Sequence, residues 1–117
     1  MTTRLGSAFV PVSDAAAAAG WYTDFLDLRT VSVEPHAAVL TDDADSTVTL
    51  LAPSSGIAAK PGLDWATCTY VVSDIDSHHA ESERRGLAPT AIEGNATVCR
   101  FFTVRDLDGN IMLIVDQ

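Results

Sequence analysis

Phe9-Val-Pro-Val-Ser-Asp14 and Thr69-Tyr-Val-Val-Ser-Asp74 end in the same three residues, sixty positions apart in a chain of 117. An offset of about half the length marks a duplicated unit. Ahead of each Asp the residues alternate. Ala8, Val10 and Val12 lie on one side in the first copy, and Cys68, Tyr70 and Val72 in the second. A period of two predicts strands with one face turned toward helices.

Each Val-Ser-Asp leads into a helical stretch, because Ser13 or Asp14, and Ser73 or Asp74, can accept bonds from the free amides of a first turn. The first helix, about Asp14 to Leu26, lines up Ala18, Tyr22, Phe25 and Leu26 in one apolar stripe. The second, about Asp74 to Arg85, carries a thinner stripe of Ile75, His78 or His79, and Ser82. It ends at Gly86, a natural left-handed cap. Short β-like runs follow each helix: Thr30 to Val33, Ala37 to Leu40 and Thr47 to Ala52, then Thr90 to Ile92, Val98 to Val104 and Asn110 to Val115. Asp108-Gly109-Asn110 reads as a tight hairpin turn, with Asp43-Ala-Asp-Ser46 as its counterpart. Each half is therefore β-α-β-β-β. Module one spans about residues 5–53, a Pro-, Gly- and Ser-rich linker about 54–64, and module two about 65–117 of a single domain.

Composition narrows the function. Apolar residues make up 47% and charged residues 20%, which fits a folded globular chain rather than a disordered one. Seven basic against sixteen acidic side chains give a net charge of −9, a field that opposes nucleic acid and anionic lipid and favours a cationic ligand. The alanine tract Ala15 to Ala19 stops far short of the roughly 20 apolar residues of a membrane span. Met1 to Gly6 shows no basic-then-apolar leader, which sets a cytoplasmic expectation. Cys68 and Cys99 have neither disulfide-framework nor zinc spacing and read as reduced thiols.

The duplicated Val-Ser-Asp starts, the segment Trp21-Tyr-Thr-Asp-Phe-Leu26 and the terminal Arg105-Asp-Leu-Asp-Gly-Asn110 together resemble the vicinal oxygen chelate superfamily, the glyoxalase, bleomycin-resistance protein and extradiol dioxygenase group. The last segment is similar to that family's Arg-Asp-Pro-Asp-Gly-Asn signature, with Leu107 in place of proline. The resemblance implies an α+β fold in which the two βαβββ modules form a curled mixed sheet with a concave cavity and helices on the outer face. It also implies a homodimer, with clefts formed within a chain or between two.

Metal-dependent members of the family present His, Gln or Glu near the start of each module's first strand and on its last strand. The matching positions here hold Ser7, Thr67, Thr49 (within about one residue) and Leu113. Hydroxyls and a leucine do not supply the donors a divalent transition metal needs, so neither a metal nor another cofactor is expected. His78 and His79 are adjacent on a helix and cannot chelate as an i, i+4 pair, and His36 follows Pro35 in a turn. Asp106, Asp108 and Asn110 lack the remaining ligands of a calcium loop. No nucleophile elbow or phosphate loop is present, and no catalytic residue is assigned.

Pleat alternation then places Ser7, Phe9, Thr47 and Thr49 from module one, and Thr67, Thr69, Phe101, Thr103 and Leu113 from module two, on the face that lines the cavity, with Trp65 at its rim. Such a lining suits an apolar or aromatic small molecule held by a few hydrogen bonds. The expected function is metal-independent binding or sequestration of a small molecule, in the manner of antibiotic-resistance proteins of the bleomycin type. The alternative is an enzyme of the same superfamily, a lyase, isomerase or dioxygenase, with non-standard metal ligands or none.

Overall fold

The computed structural model describes all 117 residues. The chain forms two compact units, Met1–Pro61 and Gly62–Gln117. In the first, β1 (Ala8–Pro11) leads into α1 (Ala15–Leu26), then β2 (Arg29–Val33), β3 (Ala37–Thr41) and β4 (Thr47–Leu51), with a 3-10 turn at Pro53–Ser55. In the second, β5 (Thr69–Val71) leads into α2 (Ile75–Arg84), then β6 (Glu93–Asn95), β7 (Cys99–Arg105) and β8 (Ile111–Val115). Each unit is a helix on a four-stranded mixed sheet, ordered β1-β4-β3-β2 and β5-β8-β7-β6. The first strand runs parallel to the last and the remaining pairs are antiparallel. This is the expected α+β architecture, and the two sheets are not closed into a barrel. No helix is long and apolar enough to cross a membrane.

The caps behave as the local sequence dictates. Asp14 accepts from the Ala17 amide at 3.0 Å and Asp74 from the Ser77 amide at 3.1 Å. α1 then buries Ala15, Ala18, Ala19, Tyr22 and Phe25 against β2, β3 and β4, while Leu26 stays partly exposed. α2 buries Ile75 and Ser82 and sets the His79 ring edge-on to Phe102 of β7, centroids 4.9 Å apart. Gly86 takes a left-handed conformation at φ 71° and the Leu87 amide reaches back to the Ser82 carbonyl at 3.0 Å, closing the helix.

One expected strand is absent. Thr90 to Ile92 is irregular, and the strand forms later, at Glu93–Asn95. Thr90 does bond to β7, its amide donating to the Thr103 carbonyl at 3.0 Å. Its hydroxyl rather than its carbonyl takes the Thr103 amide, because the Thr90 carbonyl is 2.8 Å from His79 Nε2. The hairpin that follows needs Gly94, whose φ is +88° and whose absent Cβ would stand 2.1 Å from the Cys99 carbonyl oxygen.

The turns before the last strands repeat down to the atom. Asp42 Oδ1 accepts the amides of Ala44 and Ser46 at 2.8 and 2.9 Å; Asp106 Oδ1 accepts those of Asp108 and Asn110 at 2.8 and 3.0 Å. Only the second turn continues into a tether. Buried Asn110 donates to Asp106 Oδ2, and its own Oδ1 accepts the Gly62 and Leu63 amides, both at 2.8 Å. Residues 62–64, read from sequence as linker, thus begin the second unit. Asn110→Ala strands these two amides, and urea unfolding of the full chain should show a loss of about 2–4 kcal/mol from the second unit. Hydrogen exchange at Gly62 and Leu63 should accelerate in parallel.

The Asp74 cap also titrates. Its bonds to the Ser77 amide first, then to the Ser77 hydroxyl at 2.8 Å, hold its carboxyl below the usual range, with His78 and Arg100 adding to the effect. A folded-state value below the unfolded one means that the cap stabilises fully above the unfolded value, and that this contribution fades as pH falls through the folded one. Carbon-detected titration of Asp74 should give a midpoint in the folded protein below that in the unfolded chain, and Asp74→Asn should flatten the acid limb of stability that this group contributes.

Candidate functional site

In each unit the helix covers one face of the sheet, and alternation sends the other set of side chains to the opposite face. In the first unit Val10, Ala38, Leu40, Val48 and Leu50 are buried on the α1 side. Across the helix-free face Phe9 pairs with Thr49, Thr49 with Val39, and Val39 with Ser32, where a bulge at Val31 shifts the β2 register. Thr47 lies two residues along β4, opposite Thr41. Ser7, just before β1, places its Oγ 2.8 Å from Thr49 Oγ1. Ser7, Phe9, Thr47 and Thr49 are therefore brought together. Phe9 stands 54% exposed beside the hydroxyl pair, whereas Thr49 is nearly buried.

The second unit repeats the pattern. Tyr70, Phe102, Val104, Met112 and Ile114 occupy the α2 side of the pleat, and Thr69, Leu113 and Thr103 form one row on the other. Phe101 lies one row away, opposite Val115, which in turn pairs with Val71. Val71 is 65% exposed, a large apolar side chain on an open face. Thr67 and Trp65 precede β5 in an irregular segment, both exposed. These residues gather on one surface of the second unit, apart from Trp65 and Thr67, for which no strand pairing fixes a direction.

Two residues on these faces escape the motif-based reading. Val39 joins the Phe9–Thr49 row, and Arg105 ends the Phe101–Thr103 series on β7. Alternation alone predicts both positions, Val39 between buried Ala38 and Leu40, and Arg105 two residues beyond Thr103. Of the charged groups, Glu93 stands opposite Phe101 at the β6 edge and Arg105 opposite Ile111 at the far end of β7. Asp76 and Asp116 instead flank Arg100, and the Asp76 bond comes first in raising its pKa.

The donor set does not fit a catalytic divalent metal. Ser7 and Thr49 are hydroxyls already bonded to each other, the last-strand position is Leu113, and no group of three or more His, Cys, Asp or Glu side chains gathers anywhere. His36 lies in an exposed turn, His79 packs on Phe102, and His78 Nδ1 approaches the Asp74 carbonyl at 3.3 Å. Both cysteines are free and half-buried. What the faces offer is apolar and aromatic contact area with oriented hydroxyls.

Comparison with known proteins agrees with this architecture. A solved member of the glyoxalase/bleomycin resistance protein/dioxygenase superfamily from Sphaerobacter thermophilus is 25% identical, with 99% of this chain and 98% of that one covered at a TM-score of 0.79. The lactoylglutathione lyase of Agrobacterium tumefaciens is 14% identical over 98% of this chain and 94% of its own, TM-score 0.75. A bleomycin resistance determinant encoded on the transposon Tn5 is 17% identical over 98% of both chains, TM-score 0.70. No curated protein sequence matches. The sequence profile of the Glyoxalase/Bleomycin resistance protein/Dioxygenase superfamily matches residues 4–113, nearly the whole chain, and the protein belongs to that superfamily.

Proposed function

We propose that the protein is a metal-independent small-molecule binder whose helix-free sheet faces take up an apolar, aromatic ligand, sequestering a drug or metabolite as bleomycin-type resistance proteins do. The observation that carries this reading is Phe9. An aromatic ring held 54% exposed on a rigid strand, next to the Ser7–Thr49 hydroxyl pair, supplies stacking area and directed hydrogen bonds. No group of three metal-donating side chains stands beside the ring. The net charge of −9 attracts cations at long range, and the acids responsible stand chiefly on helix ends and turns rather than on the middle of the faces. A cytoplasmic homodimer completes the proposal, in keeping with the two free thiols.

Titration with the uncharged fluorophore phenylnaphthylamine tests the aromatic site. Phe9→Ala should weaken binding by about 1–3 kcal/mol while leaving the oligomeric state unchanged by light scattering. Unchanged affinity removes Phe9 from the site.

Metal independence is tested by elemental analysis of the purified protein and by melting with EDTA and with a panel of divalent ions. The expected outcome is no stoichiometric metal and no change in Tm. About one tightly held ion per chain, with stabilisation to match, overturns the binder in favour of a metal-dependent enzyme.

A further inference from the structure

Sixteen acidic side chains surround seven basic ones, and the basic residues at the helices and strands are paired with one exception. Arg29 meets Asp43 at 3.7 Å, Arg84 and Arg85 share Glu81, and Arg100 sits between Asp76 and Asp116. Arg105, the last residue of β7, has no carboxylate partner. Its one bond runs from Nη1 to the Gly109 carbonyl at 2.8 Å, across the β7–β8 turn. The adjacent acid forms no salt bridge with it. Asp106 is buried, and its two oxygens are taken by the Asp108 and Asn110 amides and by Asn110 Nδ2.

Position matters as much as pairing. Phe101, Thr103 and Arg105 share one side of β7, spaced at about 6.8 Å, so an aromatic ring, a hydroxyl and a guanidinium follow one another along the helix-free face. Leu113 and Ile111 lie beside them on β8. The bond to Gly109 holds the guanidinium in place and leaves most of its five N–H groups free, which suits a planar anion such as a carboxylate. The first unit has no equivalent. At the same place in its repeated turn stands Thr41, 8% exposed, its hydroxyl spent on the Ser46 and Asp42 carbonyls.

We infer that Arg105 is an anion-recognising corner of the second unit's helix-free face, and that a ligand taken up there carries a carboxylate, sulfonate or similar group on an aromatic or apolar body lying along Thr103 and Phe101. This inference rests on the small-molecule binding reading and adds a charge requirement to it. The overall charge of −9 then acts as a selectivity filter, since only an anion that reaches Arg105 recovers the cost of approaching an acidic protein.

Two fluorophores with the same ring system separate the two readings. Anilinonaphthalene sulfonate carries the anion and phenylnaphthylamine does not. Arg105→Gln should weaken the sulfonate dye by about five- to tenfold and change the uncharged dye by less than about twofold, with Arg105→Lys recovering part of the loss. Phe101→Ala should weaken both dyes. Melting curves of the Arg105 variants should match the parent protein, since the side chain is exposed. If both dyes bind and respond to Phe101→Ala while Arg105→Gln leaves the sulfonate dye unchanged, the anion corner is overturned and the binding site stands. If neither dye binds, or Phe101→Ala and Phe9→Ala leave both unchanged, the binding reading fails and the anion corner fails with it.

Discussion

One carboxylate oxygen accepting two amides fixes each half of this protein. Asp42 and Asp106 make the same pair of bonds to the residues two and four positions later, and each thereby sets how the strands on either side of its turn align. The register that follows, Thr41 against Thr47 and Arg105 against Ile111, decides every later pairing along β3–β4 and β7–β8. A slip of one residue would move Thr49 and Leu113 to the helix side and send Leu50 and Ile114 out to solvent. With both of those fully buried, the slip carries a cost of several kcal/mol in lost apolar burial. The character of the binding faces is thus a consequence of two short turns.

The legible parts of the fold were those with local causes. A Val-Ser-Asp stretch announces a cap because the acceptor and the amides it serves lie within three residues, and both caps form where the sequence puts them. Alternation in β1, β4 and β8 is equally local. The misreading at Thr90–Ile92 has the opposite origin. Thr90 and Ile92 are β-branched and look like a strand, but a helix histidine meets the Thr90 carbonyl and the Thr90 hydroxyl, not its carbonyl, takes the Thr103 amide, neither of which is visible from composition. Glu93-Gly-Asn95 looks like a loop, and becomes a strand because Gly94 can bring its backbone against Cys99.

The candidate site shows the same division. Ser7, Phe9, Thr47, Thr49, Thr69, Phe101, Thr103 and Leu113 could be assigned to a face by counting in twos, since no bulge interrupts their strands. Arg105 was hidden by belonging to a recognisable turn segment. Once Arg105-Asp-Leu-Asp-Gly-Asn110 is read as a turn signature, its first residue stops looking like the end of a strand. The Ser7–Thr49 contact, formed across forty-two positions of chain, depends on the parallel pairing of β1 with β4 and has no sequence signal.

The Asn110 tether shows where the chain can be interrupted. The bonds to the Gly62 and Leu63 amides start after Pro61, where the second unit begins, and the β1–β4 ladder and turn of the first unit end before it. A nick in the exposed stretch just ahead of Pro61 would sever no ladder, cap or turn. Ala58 to Lys60 is accordingly the place to open the backbone for a split version of this protein, in which each module keeps its own turn carboxylate and its own register.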